Sequence, residues 1–281
     1  MKLLEDRVVV VTGAGRGIGR AEALLCAGLG ARVVVNDCGC DRDGTGADAS
    51  VAQSTVDAIV AAGGTAVADA SDVTTEGAPD RLVELAVARF GRFDGLVHAA
   101  GIVREATLLK TPPDDLTRLF DVQVRAAFEL TRAAAARLVD ARTPGAIVLH
   151  TSPNGFFGVA RQSALGACSA AVVGLVRSAA VELRRHAVRV NAIAPTARTR
   201  ITEDMPLFKG IKGDSMTPEH IAPLAAFLLS DLASDVHGEV LGVAGQRHYA
   251  LLARETTGVF LDGTLPTPEG IAAAFGDIIR G

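Results

Sequence analysis

The 281-residue sequence predicts a doubly wound, parallel α/β sheet of seven strands in a single domain, spanning residues 1–281. Three observations carry the prediction. Short β-branched runs alternate with longer helical patterns along the chain, and such alternation builds a parallel sheet with helices on both faces. A glycine-rich turn joins the first strand to the first helix. With 49% hydrophobic residues and 30 glycines, the chain is also long enough to bury a large core in one domain.

The elements follow in order. Val8 to Val11, an unbroken valine run, reads as the first strand, and Ile18 to Leu29 as the helix after it. Arg32 to Val35 and Val51 to Ala62 repeat the strand–helix unit, as do Thr65 to Ala70 with Pro79 to Phe90. Leu96 to Ala99 leads into a long helix over Asp114 to Ala141, and Ala146 to His150 into another over Gln162 to Arg185. Arg189 to Ile193 is the sixth strand. Thr217-Pro218-Glu219, a capping residue followed by proline in the first turn, starts a helix running to Leu229. Val240 to Val243 closes the sheet, and residues 245–281 read as a C-terminal extension. Loops are long only at Cys38 to Ala49 and Arg200 to Asp214, and no internal repeat is present.

Composition excludes several functions. The net charge is -4, and Lys2, Lys110, Lys209 and Lys212 are scattered, so no basic stripe tracks a nucleic-acid backbone. The N-terminal MKLLEDR turns acidic where a signal peptide would be apolar, and no later segment reads as a membrane span, so a cytoplasmic protein is expected. Four cysteines are too few for a disulfide framework. Cys38-Gly39-Cys40 lacks a matching pair to complete a zinc site, so no metal is expected and the thiols read as reduced.

Ligands of a doubly wound sheet bind at the carboxyl ends of its strands. There, in VVVVTGAGRGIGR, Gly13, Gly17 and Gly19 let a pyrophosphate approach the N-terminus of the helix beginning at Ile18, where free N–H groups and the helix dipole favour an anion. Asp37, 18 residues after Gly19 at the end of the second strand, would hydrogen-bond a free ribose diol and repel a 2′-phosphate. NAD is therefore expected over NADP. Arg16, beside the glycines, could accept a phosphate but reads more simply as a solvated loop charge.

TGAGRGIG, Asp72-Val73 after the third strand, HAAG at His98 to Gly101, Ser152 after the fifth strand and VNAIAPTARTR after the sixth resemble the short-chain dehydrogenase/reductase family over nearly the whole chain. More narrowly, NDCGCDRDGTGADAS and IAPTARTRITEDMP are similar to the hydroxyacyl-CoA dehydrogenase domains of type 2 peroxisomal multifunctional enzymes and their bacterial relatives. The resemblance implies a Rossmann-like fold and a dimer or tetramer. It places Asp72 and Val73 near the adenine, the backbone of Ala100 and Gly101 near the ribose, and Pro195 and Thr199 near the nicotinamide amide.

The family's chemistry uses a tyrosine, a lysine, a serine and an asparagine, and only Ser152 matches. The family spacing from Ser152 lands on Leu165 for the tyrosine and Ser169 for the lysine, while Gln123 in FDVQVRAAF stands at the asparagine. Register error does not restore the site: the only tyrosine is Tyr249, and no lysine lies between Lys110 and Lys209. Loss of a positioned acid/base costs about 10²–10⁴-fold in rate. Three readings follow: an unconventional NAD(H) oxidoreductase, lyase, dehydratase or cyclase acting on a bulky hydrophobic substrate of acyl-CoA, steroid-like or polyketide-like kind; a catalytically silent subunit pairing with an intact homologue; and a nicotinamide-binding sensor.

Stand-ins for the missing acid are few. His150 and His98 sit at strand ends on the cofactor side, where a satisfied core histidine is the simpler reading of each. Cys168 and Tyr249 read as packing residues, and Arg161 as a solvent-facing charge. Residues 200–218 read as a substrate lid, with Met205, Leu207, Phe208 and Met216 offering apolar contact and Lys209 and Lys212 placed to meet coenzyme A phosphates.

Overall fold

Alternating valines set the sheet. In the computed structural model, which describes residues 2–204, 208, 210, 214–261 and 265–280, strand β1 (Val8–Thr12) turns Val8 and Val10 to one face and Val9 and Val11 to the other. Helix α1 (Gly17–Gly28), β2 (Arg32–Asn36), α2 (Ser50–Ala61), β3 (Thr65–Asp69), α3 (Ala78–Phe90) and β4 (Gly95–His98) follow. Then come α4 (Pro113–Phe120), α5 (Ala126–Asp140), β5 (Gly145–His150), α6 (Ser163–Leu183), β6 (Val188–Thr196), α7 (Ala222–Leu229), β7 (Val240–Ala244) and β8 (Arg247–Ala250). Strand order is β3-β2-β1-β4-β5-β6-β7-β8. One core packs α3, α5 and α6 on the sheet, the other α1, α2 and α7, so apolar residues are needed on both faces of every central strand.

The sheet has eight strands where seven were expected. All pair in parallel except β8, which runs antiparallel to β7 with Tyr249 opposite Gly242. The Tyr249 ring lies where a Cβ on residue 242 would meet it at 2.3 Å, and the Arg247 guanidinium covers its other side at 4.4 Å from the centroid. Tyr249 is thus a packing residue, as its sequence context implied. Residues 247–250 therefore belong to the sheet, joined to β7 by a turn at 245–246, and the second compact unit begins at Leu252. Met1–Leu251 is one compact unit and Leu252–Gly281 a second, which carries α8 (Pro268–Ile279), capped by Thr267 Oγ1 accepting from Gly270 N.

Two helices differ from expectation. The long helix over 114–141 is interrupted by a π-helical turn, Asp121–Arg125, between α4 and α5. The one over 218–229 begins as a 3₁₀ turn, Pro218–His220, and the Thr217 hydroxyl meets the His220 ring rather than capping the backbone. Among the described residues one helix, Ser163–His186, is long and apolar enough to cross a membrane by length and composition, contrary to the expectation that no segment is. Its buried side chains Val172, Val176, Ala179 and Ala180 pack on the sheet, which accounts for one apolar face.

Candidate active site

Strand order reverses on either side of β1 and β4, and the crevice at their carboxyl ends is where such sheets bind ligands. There a cleft with about 880 Å³ not filled by protein is lined by Gly13, Arg16, Gly17, Ile18, Gly19, Asp37, Asp72, Val73, Ala100, Gly101, His150 and Thr199, among others. The glycine turn, Asp37 and the loops after β3 and β4 thus converge as the sequence implied. Pro195 does not join them: it lies within β6, paired with Val243.

The turn has its own steric logic. Gly13 has φ +65°, and a Cβ there would fall 2.6 Å from the Ala100 backbone, so the ends of β1 and β4 meet only through glycine. A Cβ on Gly19 would collide with the Gly13 carbonyl, which keeps α1 against the turn. Across the cleft, the Thr199 methyl lies 3.5 Å from where a Gly17 Cβ would stand, so Thr199 faces the start of α1. Asp37 accepts from Gly15 N at 2.9 Å and Gly39 N at 2.8 Å, which fixes its carboxylate at the rim.

Arginines meet this rim from two sides. Arg16 is no free loop charge: its guanidinium donates to the Cys40 carbonyl at 3.1 Å, and Arg200 donates to the same oxygen at 2.9 Å. Arg118, reaching from α4, pairs with Asp72 at 3.0 Å. Burial raises the Asp72 carboxyl, but hydrogen bonds from Thr74 and Arg118 outweigh it and hold the group below the ordinary carboxylate range. Arg118 and Arg200 carry no sequence signal, since an arginine on a helix or loop is usually solvated.

The acid/base half is differently built. Ser152 Oγ accepts from Asn154 N at 3.2 Å at the head of a 3₁₀ turn, Pro153–Gly155. Leu165 is half-buried on α6, and Ser169 is 4% exposed with its hydroxyl donating to the Leu165 carbonyl at 2.7 Å. The backbone at Gly155 lies so close that a Cβ there would stand 3.1 Å from Ser169 Cβ. Gln123, in the π turn, donates to the Ile102 carbonyl at 2.9 Å. Neither Leu165, Ser169, Gln123 nor Ser152 lines the cleft. Cys168 is buried with Ile102, Leu119 and Val122, and burial pushes its thiol up to about 11.

His150 does line it, and it has a partner the sequence did not reveal. Its Nε2 lies 2.9 Å from Oε1 of Glu22, a wholly buried residue of α1 whose Oε2 has no hydrogen-bond partner among the described residues. The signal for Glu22 was a lone carboxylate on the apolar face of GIGRAEALL. Close by, His98 is 1% exposed, and its Nδ1 lies 2.8 Å from Thr12 Oγ1. Burial, and then the neighbouring His150, lower its pKa to about 4, so it is neutral at physiological pH. His98 is a core histidine, as expected.

In the lid region, Phe208 is 3% exposed beneath the Arg198 guanidinium, and Met216 O accepts from Arg198 N. Phe208 is therefore a packing residue, not an open contact. Met205, Leu207, Lys209 and Lys212 lie outside the described residues. Arg161 is exposed, as expected.

A doubly wound sheet with a glycine turn, an acidic residue closing β2 and a cleft at its switch point defines a fold of the dinucleotide-binding type. Comparison makes the class specific. Residues 13–245 match the family model described as enoyl-(acyl carrier protein) reductase. The chain is 39% identical over 241 residues to the peroxisomal multifunctional enzyme type 2 of Drosophila melanogaster, covering 86% of this chain and 39% of that one. It is 34% identical to the hydroxyacyl-CoA dehydrogenase ChsB1 of Mycobacterium tuberculosis, covering 99% and 90% respectively. A short chain dehydrogenase from Mycobacterium avium superposes with a TM-score of 0.86 at 38% identity, over 99% of this chain and 96% of that one. The protein belongs to the short-chain dehydrogenase/reductase family, whose dehydrogenases use NAD(P)(H).

Proposed function

We propose that the protein binds NAD(H) in the cleft and acts on a bulky hydrophobic substrate, of the acyl-CoA thioester class, with a proton source other than the family's tyrosine and lysine. One observation carries the reading: Gly13, Gly17, Gly19, Asp37 and Thr199 line one cleft, while Leu165 and Ser169 stand where the resemblance puts the family's tyrosine and lysine. When bound, NAD(H) gives or takes a hydride. Gly13, Gly17 and Gly19 admit its pyrophosphate to the head of α1, and Asp37 takes the ribose diol and disfavours a 2′-phosphate. Ala100, Gly101 and Thr199 flank the ribose and amide. Ser152 holds the reacting oxygen. His150, held by Glu22, moves the proton, since leucine offers none and His150 is the imidazole that lines the cleft. The same donor set would serve a lyase, dehydratase or cyclisation step. Names of relatives support the substrate class.

A second reading has its own observation. Leu116, Phe120, Phe128 and Val181 on α4, α5 and α6 are exposed apolar residues, at 45%, 46%, 53% and 79%. They suit burial against another subunit, a second copy or an intact homologue. Light scattering at micromolar concentration checks this, with a homo-oligomer expected.

Calorimetry tests the cofactor: NAD(H) should bind at least tenfold tighter than NADP(H), about 1.4 kcal/mol. Binding of neither, or tighter NADP(H), overturns the reading. Native turnover of a simple hydroxyacyl-CoA should be negligible and should appear in the Leu165→Tyr, Ser169→Lys double variant. Robust native turnover untouched by Ser152→Ala and His150→Asn would place the proton chemistry elsewhere.

A further inference from the structure

Asp37 is followed by Cys38-Gly39-Cys40, a short segment at the rim of the cleft. Both cysteines are partly exposed and line the cleft, whereas Cys26 and Cys168 are buried. Gly39 has φ +74°, its N–H holds Asp37 Oδ1, and a Cβ on it would strike the Asp48 backbone at 2.1 Å. The Cys40 carbonyl is the oxygen that both Arg16 and Arg200 grip. Asp48 N donates to the Cys38 carbonyl at 2.9 Å. The segment is thus a turn clamped from four sides, with its two thiols free to meet.

We propose that Cys38 and Cys40 form a reversible disulfide that switches the cofactor cleft from a binding to a weak-binding state. Residues two apart across a turn have Cα atoms roughly 5–7 Å apart, overlapping the roughly 4.4–6.8 Å window of a disulfide. Interaction with the Cys40 thiol lowers the Cys38 thiol to about 7, while Cys40 is itself pushed up. Cys38 is therefore the nucleophile. Its thiolate attacks a hydroperoxide oxygen, cleaving the O–O bond and giving a sulfenic acid and hydroxide, which takes up the proton the thiol released. The Cys40 sulfur then attacks the sulfenic sulfur and displaces a second water, so two thiols lose two electrons and two protons to the peroxide. A thiol reductant reverses the step. Closing the ring over one glycine turns the Gly39 N–H, which lies in the ring, and the Cys40 C=O, which is attached to the ring at Cys40 Cα. Asp37 and the two arginines lose the partners that hold them. Strained, short-loop disulfides are the labile kind found in sensors.

This inference rests on the cofactor reading, and the test separates the two. Full-length protein is treated with stoichiometric hydrogen peroxide, digested with trypsin and weighed. Peptide Val33–Arg42 holds Cys38 and Cys40 and neither other cysteine, so the bridge appears there as a loss of about 2 mass units that dithiothreitol restores. NAD(H) affinity, measured by calorimetry on the same samples, should fall about tenfold or more on oxidation and return on reduction. Cys40→Ser should lose the mass change and trap a sulfenic acid at Cys38, and the ratio of its affinities before and after a brief peroxide pulse should stay near one. Over-oxidation to sulfinic acid without a bridge, or a bridge with affinity unchanged within about twofold, overturns the proposal. If reduced protein binds no NAD(H), the cofactor reading and the switch's effect fall together, while the mass result alone judges whether the disulfide forms.

Discussion

Replacing His98 with asparagine should flatten the acid limb of the protein's stability curve. His98 lies at the end of β4 with Thr12 on one side, His150 near it and the Val122 carbonyl the one feature that favours its charge. Burial leads in lowering its pKa from 6.5 to about 4. Unfolded chain therefore takes up a proton as the pH drops through 6.5, and folded chain refuses it until about 4. Stability present above 6.5 is lost progressively as the pH falls toward 4. At 1.36 kcal/mol per pKa unit the full loss is about 3 kcal/mol, of which about 2 kcal/mol falls between about pH 7.5 and pH 5. Asparagine cannot titrate, yet it can still hydrogen-bond the Thr12 hydroxyl. Urea unfolding followed by circular dichroism, at both pH values and one ionic strength, reads the difference. Native protein should lose about 2 kcal/mol more than the variant across that interval. Losses equal within about 0.5 kcal/mol would refute the reasoning, because the remaining titrating groups are common to both proteins.

Other outcomes follow from the same geometry. Gly13→Ala forces a Cβ into the Ala100 backbone at positive φ, so it should abolish NAD(H) binding and cost about 2 kcal/mol or more in urea unfolding. Asp37→Ser removes the carboxylate proposed to hold the ribose diol, and calorimetry should show the NAD(H) preference over NADP(H) shrinking about tenfold. His150→Leu strands the Glu22 carboxylate in the core and should destabilise the protein by about 3 kcal/mol near neutrality. Adding Glu22→Leu should recover most of that, and a double-mutant cycle with no recovery would show that the pair is not coupled.

Legibility in the sequence followed how strongly each element depends on local pattern. Strands β1, β2 and β6 were readable because burial on both faces demands runs such as VVVV, and the glycine turn because Gly13 has no steric substitute. β8 was not, because RHYA is an edge strand whose polar residues face outward, leaving no apolar run to read. The π turn escaped because one extra residue in a helical ladder changes neither composition nor amphipathic pattern. Asp37, Asp72 and His150 all line the cleft, yet Arg118 and Glu22, which pair with Asp72 and His150, and Arg200, which meets the Cys40 carbonyl, come from elements distant in sequence, where a charged residue has no address until the chain folds.

That division bears on what the site can do. The cofactor half is assembled by β1 to β4 and α1, where Gly13 and Gly19 also fix strand and helix positions, so their loss would cost stability as well as binding. The acid/base half rests on β5 and α6, where Leu165 and Ser169 are single side chains on one helical face. Ser169 has turned its hydroxyl to the Leu165 carbonyl, and Gly155 has closed over it, so the helix packs without a lysine and nothing in the cleft's other wall depends on one. On the proposed reading, cofactor binding and the family's proton chemistry are thus physically separable in this fold. A chain can shed the second and keep the first. The buried carboxylate beside His150 belongs to neither the glycine turn nor the α6 face, and for that reason it is the group whose substitution most directly separates an enzyme from a silent subunit. Glu22→Gln should preserve NAD(H) affinity in either case, but it should depress turnover of the true substrate only if His150 carries the proton.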